Sequence, residues 1–293
     1  MSPPSSRPRI RLIRAGNASP LTHTGTNSYI LGSGRVAVID PGPDDPPHLA
    51  ALLAALDAKE EISHIIVTHP HRDHSASAAR LARKTGAPIL AMGRAEDGRS
   101  PAMKRLVLAG LRGAGGDGLD LDFRPDRRLH DRETISGEDW QLDVHHTPGH
   151  LGTHACLSIG STLFSGDHVM GWSTSVIVPP DGDMGEYLDS LHRLTQANWS
   201  EFLPGHGDAI KDPAARLAEL ITHRTGRMAQ ILTALQEGPA TISQLTARIY
   251  PGLAPELIRA AGHNILAHLI DLAEKNQIAP ADFTDPGAMH HLI

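Results

Sequence analysis

Residues 65–75 read Ile-Ile-Val-Thr-His-Pro-His-Arg-Asp-His-Ser, and this stretch decides the fold. Positions 62–68 form a short apolar run, the pattern of a buried strand. The run leads directly into His69, His71, Asp73 and His74, four ligand-type side chains within six residues. Beyond them the Ala-rich segment 75–85 predicts a helix, stopped by Gly86. A strand end delivers side chains to the edge of a sheet, where donors from several strands can converge. Imidazole and carboxylate are donors that zinc accepts.

Three later segments repeat the layout of a short strand followed by a Gly-flanked His or Asp. They are Thr147-Pro148-Gly149-His150, Ser165-Gly166-Asp167-His168 and Pro204-Gly205-His206-Gly207. Glycine lets each loop turn tightly and brings backbone close to a bound ion. Any one of these alone reads as a plain turn; four in this order are a constellation.

Around them the chain alternates strands and helices. Strands are predicted at 10–13, 28–31, 35–39, 88–91, 141–146, 155–159, 162–165 and 201–204, and helices at 47–59, 101–111 and 184–197. This order argues for helices packed on sheets. Segment 94–132 is Arg-rich and interrupted by Gly110, Gly113, Gly115, Gly116 and Gly118, which reads as an insertion, either solvated or a lid over the substrate. Residues 1–8 read as loose. After position 213 the pattern becomes helical, at 214–236, 242–249 and 255–275, with an extended tail at 276–293. Three helices and a short extended tail are winged-helix-like. The expected domains are therefore 1–213 and 214–293, bridged by the long helix.

Composition narrows the function. The chain has 293 residues, 40% apolar and 20% charged, enough to bury a core. One cysteine excludes a disulfide framework and any Cys-rich zinc module. No apolar run approaches the ~18 residues of a membrane span, and the N-terminal stretch has no apolar signal core, so a cytoplasmic protein without membrane partners is expected. Net charge is −6, which gives no global basic field for nucleic acid. Residues 213–293 carry six Lys/Arg against seven Asp/Glu, and aromatics are 3% of the chain. Histidine is abundant, at 19.

On these motifs the sequence resembles the metallo-β-lactamase superfamily. The resemblance implies an αββα sandwich (an α/β, α+β-type fold) with a two-metal site at its edge, followed by a small winged-helix-like domain. Carried onto this chain, it implies that His69, His71 and His150 hold one metal, that Asp73, His74 and His206 hold the other, and that Asp167 bridges. Two Zn2+ are expected, with Mn2+ or Fe as alternatives. The stretches TGTNSYI (24–30), LFSGDHVMGW (163–172), EYLDSLHRL (186–194), LPGHG (203–207), ITHRTGRMAQIL (221–232) and HNILAHLIDLAEKNQI (263–278) are similar to a branch of the superfamily with endoribonucleases acting on single-stranded RNA. Two departures, Ser75-Ala76-Ser77 in place of a Gly pair and a longer 94–124 segment, lie near the expected substrate face.

Two adjacent divalent cations generate hydroxide near neutral pH and polarise the substrate oxygen, so no Ser or Cys nucleophile is needed. Asp73 and Asp167 are the candidate catalytic residues, able to orient that hydroxide or take its proton. The first expectation is a phosphodiesterase or endoribonuclease on single-stranded RNA or nucleotides. The alternative is a small-molecule thioester, lactone or other ester hydrolase, with the C-terminal domain covering the site or forming a homodimer contact. A β-lactamase and a non-catalytic winged-helix binding protein rank lower. Ser173, Thr174 and Ser175 are candidate substrate contacts. His168 reads equally as a ligand-supporting or a packing residue, His154 as structural, Cys156 as inert core, and His290 and His291 as solvated.

Overall fold

The computed structural model describes residues 8–113 and 118–293. Positions 1–7 and Gly115 and Gly116, which entered the expectations above, lie outside the described residues. Two sheets face each other. The first has the order β1 (Ile10–Arg14), β2 (Asn27–Leu31), β3 (Arg35–Ile39), β4 (Glu61–Ile66), β5 (Ile89–Ala91) and β6 (Arg127–Arg128). The second has the order β11 (Glu201–Pro204), β10 (Thr162–Gly166), β9 (Ala155–Ile159), β8 (Gln141–His146) and β7 (Thr134–Ser136). β2 and β3 form the expected hairpin, with Tyr29 opposite Ile39. The parallel pairs β3–β4 and β4–β5 need crossovers, which α1 (Pro46–Ala54), α2 (Arg72–Ser75) and α3 (Ala78–Thr85) supply.

Side-chain alternation sorts the strands into layers. Tyr29, Leu31, Ala37 and Ile39 join Leu142, Val144, Leu157 and Phe164 in the core between the sheets. Ile30, Val36 and Val38 point the other way, onto Leu49, Leu52 and Leu81 of α1 and α3. The outer face of the second sheet is covered by α5 (Met184–Leu194) and the first half of α6 (Pro213–Gln236), through Tyr187, Leu191, Leu217 and Leu220. The second half of α6 contributes Ile231 and Leu235 to another core, shared with α7 (Ile242–Ile249) and α8 (Pro255–Glu274). α6 is therefore continuous across both cores. The tail adds bridges Ala240–His290 and Ile278–Leu292, the extended element expected after the helices. His290 is fully buried and stacks on Phe283, so the expectation that it is solvated is corrected.

Several elements differ from expectation. α1 stops at Ala54 instead of residue 59, where the Asp57 amide is taken by the Glu60 carboxylate in a turn. The helix expected over 75–85 is two helices, because the Ser77 amide donates to the Gly42 carbonyl. β6 and β7 were not expected; at two and three residues they are too short to show a period. The insertion carries α4 (Pro101–Ala109), whose Met103 packs with Leu111 against Leu266 and Ile270 of α8. Arg105 also pairs with Glu274 at 2.7 Å. The insertion's helix is thus docked, not a solvated excursion.

Glu186, in the first turn of α5, has its carboxyl pushed up to about 7 by burial and then by Asp183. The folded state therefore binds this proton more tightly than the unfolded chain. The contribution is complete below the ordinary carboxylate range and is lost as pH rises through about 7. Glu186→Gln is expected to raise Tm at pH 8 and to give no gain at pH 4, as read by paired thermal melts.

Candidate metal centre

The sheet edge where β3, β4, β8, β10 and β11 end collects the ligand-type residues. His69 follows β4, His150 follows β8, Asp167 follows β10 and His206 follows β11. His71 opens α2, whose short turn carries Asp73 and His74. The loops reach one another only because of their glycines. A Cβ on Gly205 would lie 2.5 Å from Asp167 Oδ1 and 2.6 Å from His74 Cε1. Gly166 has φ +49°, and a Cβ there would meet His154 Nε2 at 2.6 Å.

All seven expected residues meet. Their donor atoms fall into three overlapping groups, His69/His71/His150, His69/His74/Asp167 and Asp73/His74/His206, each within 4.8 Å. His71 Nδ1 lies 2.9 Å from His69 Nε2 and 3.0 Å from His150 Nε2. His74 Nε2 lies 3.3 Å from His206 Nε2, which is 3.1 Å from Asp73 Oδ2. Asp167 stands between the groups, with Oδ2 3.4 Å from His206 Nε2 and 3.8 Å from His150 Nε2. Ligands on a tetrahedron around zinc, with bonds of ~2.0–2.1 Å, sit ~3.3 Å apart. The observed spacings match that figure, and Asp167 Oδ1 is buried with no hydrogen-bond partner among the described residues. The donor set therefore fits divalent cations.

The electrostatics agree. Burial lowers His69 and His150, and burial with the neighbouring His150 takes His71 down to about 3, so these imidazoles are neutral donors. Burial works against charge on His206, yet the Asp167 and Asp73 carboxylates hold it up to about 9. Asp73 and Asp167 are in turn held below the carboxylate range, against burial, by His74 and His206. Buried charges here compensate one another, as a cation would. His71, Asp73 and His150 are partly exposed and form the open side.

A second layer fixes the rings. An outer nitrogen bound to an acceptor sets tautomer and orientation. His69 Nδ1 is 3.0 Å from Thr68 Oγ1, His74 Nδ1 is 2.9 Å from Asp40 Oδ2, His150 Nδ1 is 2.8 Å from the Val176 carbonyl, and His206 Nδ1 is 3.3 Å from the Gly25 carbonyl. Asp40 also accepts from the Thr68 amide at 2.7 Å and hydroxyl at 2.8 Å, so one carboxylate braces two of the ligand histidines. Asp40 is absent from the residues singled out by the sequence motifs. The signal was present, since an acid follows β3 in the same layout as the ligand loops.

The remaining candidates are redistributed. Ser175 is buried, and its hydroxyl donates to the Asp167 and His168 carbonyls, so it does not face substrate; this corrects that expectation. Ser173 Oγ is turned onto the Thr174 carbonyl, and both residues are partly exposed. His154 is buried, bonds Thr147 through Nδ1 at 2.9 Å and accepts the Asp167 amide at 3.2 Å, so it shapes the Asp167 turn. His168 is a packing residue against Tyr187 and His154. Cys156 is buried, its thiol pushed up to about 12 by burial. Residues 118–120 lie against the His71 loop, where Ser75 Oγ donates to Asp120 at 2.9 Å. A cavity of about 410 Å³ between β1 and β11 is lined by Ile10, Leu12, Tyr29 and Leu203, and none of the seven donors borders it.

Asp40→Ala is expected to lower divalent-metal affinity about 10- to 100-fold while leaving the fold in place, as measured by chelator competition beside circular dichroism.

The profile of the metallo-β-lactamase superfamily matches residues 21–206, and that of the β-lactamase associated winged helix domain matches residues 241–283. The chain is 30% identical over 281 residues to the β-lactamase-like protein 2 homolog of Drosophila melanogaster, covering 92% of this chain and 89% of that one. It is 29% identical over 268 residues to an atrochrysone carboxyl ACP thioesterase of Aspergillus chevalieri, covering 85% of this chain and 75% of that one. A solved metallo-β-lactamase family protein from Thermus thermophilus superposes with a TM-score of 0.74 at 23% identity, covering 97% and 98% of the two chains. The chain belongs to the metallo-β-lactamase superfamily and is a hydrolase of that family with a C-terminal winged helix domain.

Proposed function

We propose that the protein is a dinuclear, zinc-dependent hydrolase whose substrates are acyl thioesters and related small esters. The convergence of five imidazoles and two carboxylates at one sheet edge carries this reading. His69, His71 and His150 would hold one cation and Asp73, His74 and His206 the other, with Asp167 shared. A bound pair of cations supplies water activation near neutral pH and charge stabilisation at the substrate oxygen. The chain's own residues do the rest. Asp167 is fixed by the His154 ring and the Ser175 hydroxyl, so its carboxylate stays between the two groups. Asp73, with its side chain 26% exposed, is the carboxylate placed to exchange protons with a substrate entering from the open side.

The thioester reading rests on similarity to a relative named as an ACP thioesterase. It also agrees with the C-terminal region, where seven acids outnumber six bases and offer no basic stripe for a phosphate backbone. Cleavage of single-stranded RNA is the second reading, favoured by the winged helix domain at 241–283. A parallel assay of the zinc-loaded protein on an acyl thioester, a lactone, a bis-aryl phosphodiester and single-stranded RNA separates them. Thioester turnover that His69→Ala and Asp167→Ala each reduce by at least about 1000-fold, with circular dichroism unchanged, is the expected result, since those changes remove cation binding itself. RNA turnover lost in the same variants would replace the first reading by the second.

A further inference from the structure

Arg224, on α6, is 1% exposed, and no carboxylate pairs with it among the described residues. A buried guanidinium without a counter-charge is costly, so its hydrogen bonds must matter. Its Nη2 donates to the Ser175 carbonyl and its Nη1 to Asn264 Oδ1 on α8 at 3.3 Å. Its guanidinium also lies over the Tyr187 ring at 5.4 Å. Asn264 Oδ1 accepts the Ile177 amide at 3.4 Å as well. Both helices thus grip one short segment, residues 175–177.

That segment faces the metal centre on its other side. The Val176 carbonyl takes the Nδ1 proton of His150 at 2.8 Å, which aims His150 Nε2 at His71. The Ser175 hydroxyl donates to the carbonyl of Asp167 and, at 3.0 Å, to that of His168. The Tyr187 hydroxyl closes the network on the His168 carbonyl at 3.1 Å. Two groups expected to bind cations are therefore oriented from a strip of backbone whose own anchors lie on α6 and α8.

We propose that Arg224, assisted by Asn264, is a positioning residue for the metal centre, acting through Ser175 and Val176 on Asp167 and His150. The C-terminal helices are in this respect part of the site. The inference rests on the dinuclear reading above. Pure packing and positioning differ in their consequences. Arg224→Met keeps most of the volume and removes a buried charge, a change that often leaves stability unharmed. If Arg224 positions the ligands, it nevertheless weakens metal binding.

The test uses the full chain with Zn2+ in chelator competition and with Co2+ followed by its visible spectrum. Arg224→Met is expected to weaken the weaker-bound cation about 10- to 100-fold, the range for changes behind a ligand. The Co2+ bands shift, and Arg224→Lys, which keeps the charge and a donor on α6, recovers part of the affinity. Asn264→Ala keeps Arg224 and removes the second anchor of residues 175–177, and it is expected to lose affinity in the same direction, so it decides the matter if Arg224→Met does not fold. Wild-type affinity and an unchanged Co2+ spectrum in Arg224→Met, or in Asn264→Ala if the former fails to fold, overturn the proposal alone. A wild-type chain that binds no cation overturns the dinuclear reading together with it.

Discussion

Five imidazoles and two carboxylates crowded at 2.9–3.8 Å are the constraint that organises this molecule. Such a cluster, largely out of water, holds together only if its charges and lone pairs are compensated. Several nearby features of the chain serve that end. Glycines stand where any Cβ would strike a donor or its support. The outer nitrogens of His69, His74, His150 and His206 each have an oxygen partner. Asp40, in the left-handed region at φ 50°, ties the end of β4 to the turn of α2.

The sandwich converts this local demand into a fold. β3 and β4 run parallel, as do β10 and β11, so their carboxyl ends reach one edge together. The apolar alternation of β2, β3, β9 and β10 then locks the register, since a one-residue slip would turn Tyr29 and Phe164 out of the inter-sheet core. α6 carries the packing of the second sheet into the winged helix domain without a break, and α4 and α8 close the same junction from the insertion side. The domains therefore share one continuous helix and one buried interface.

The four ligand-type segments were legible because each follows a short strand in a turn whose reason is local, and the strand–helix order gave helices packed on sheets. The choice of the seven donors and the αββα arrangement came with the superfamily resemblance. What the sequence could not show depends on side chains turning toward distant partners. Ser175 looked like a free hydroxyl in a loop and points inward because Asp167 and His168 present carbonyls there. His290 looked like a solvated tail and is buried because the tail pairs with Ala240. Asp40 does not stand out in the sequence because its partners, Thr68 and His74, are 28 and 34 residues away. The docking of α4 on α8 joins segments more than 150 residues apart, and periodicity carries no information at that range.

The most direct test of the account is anomalous X-ray scattering from crystals of protein purified without chelator, measured on both sides of the zinc edge. The account requires two peaks, one among His69, His71 and His150 and one among Asp73, His74 and His206, with Asp167 reaching both. A single peak elsewhere, or none at this sheet edge, would contradict it.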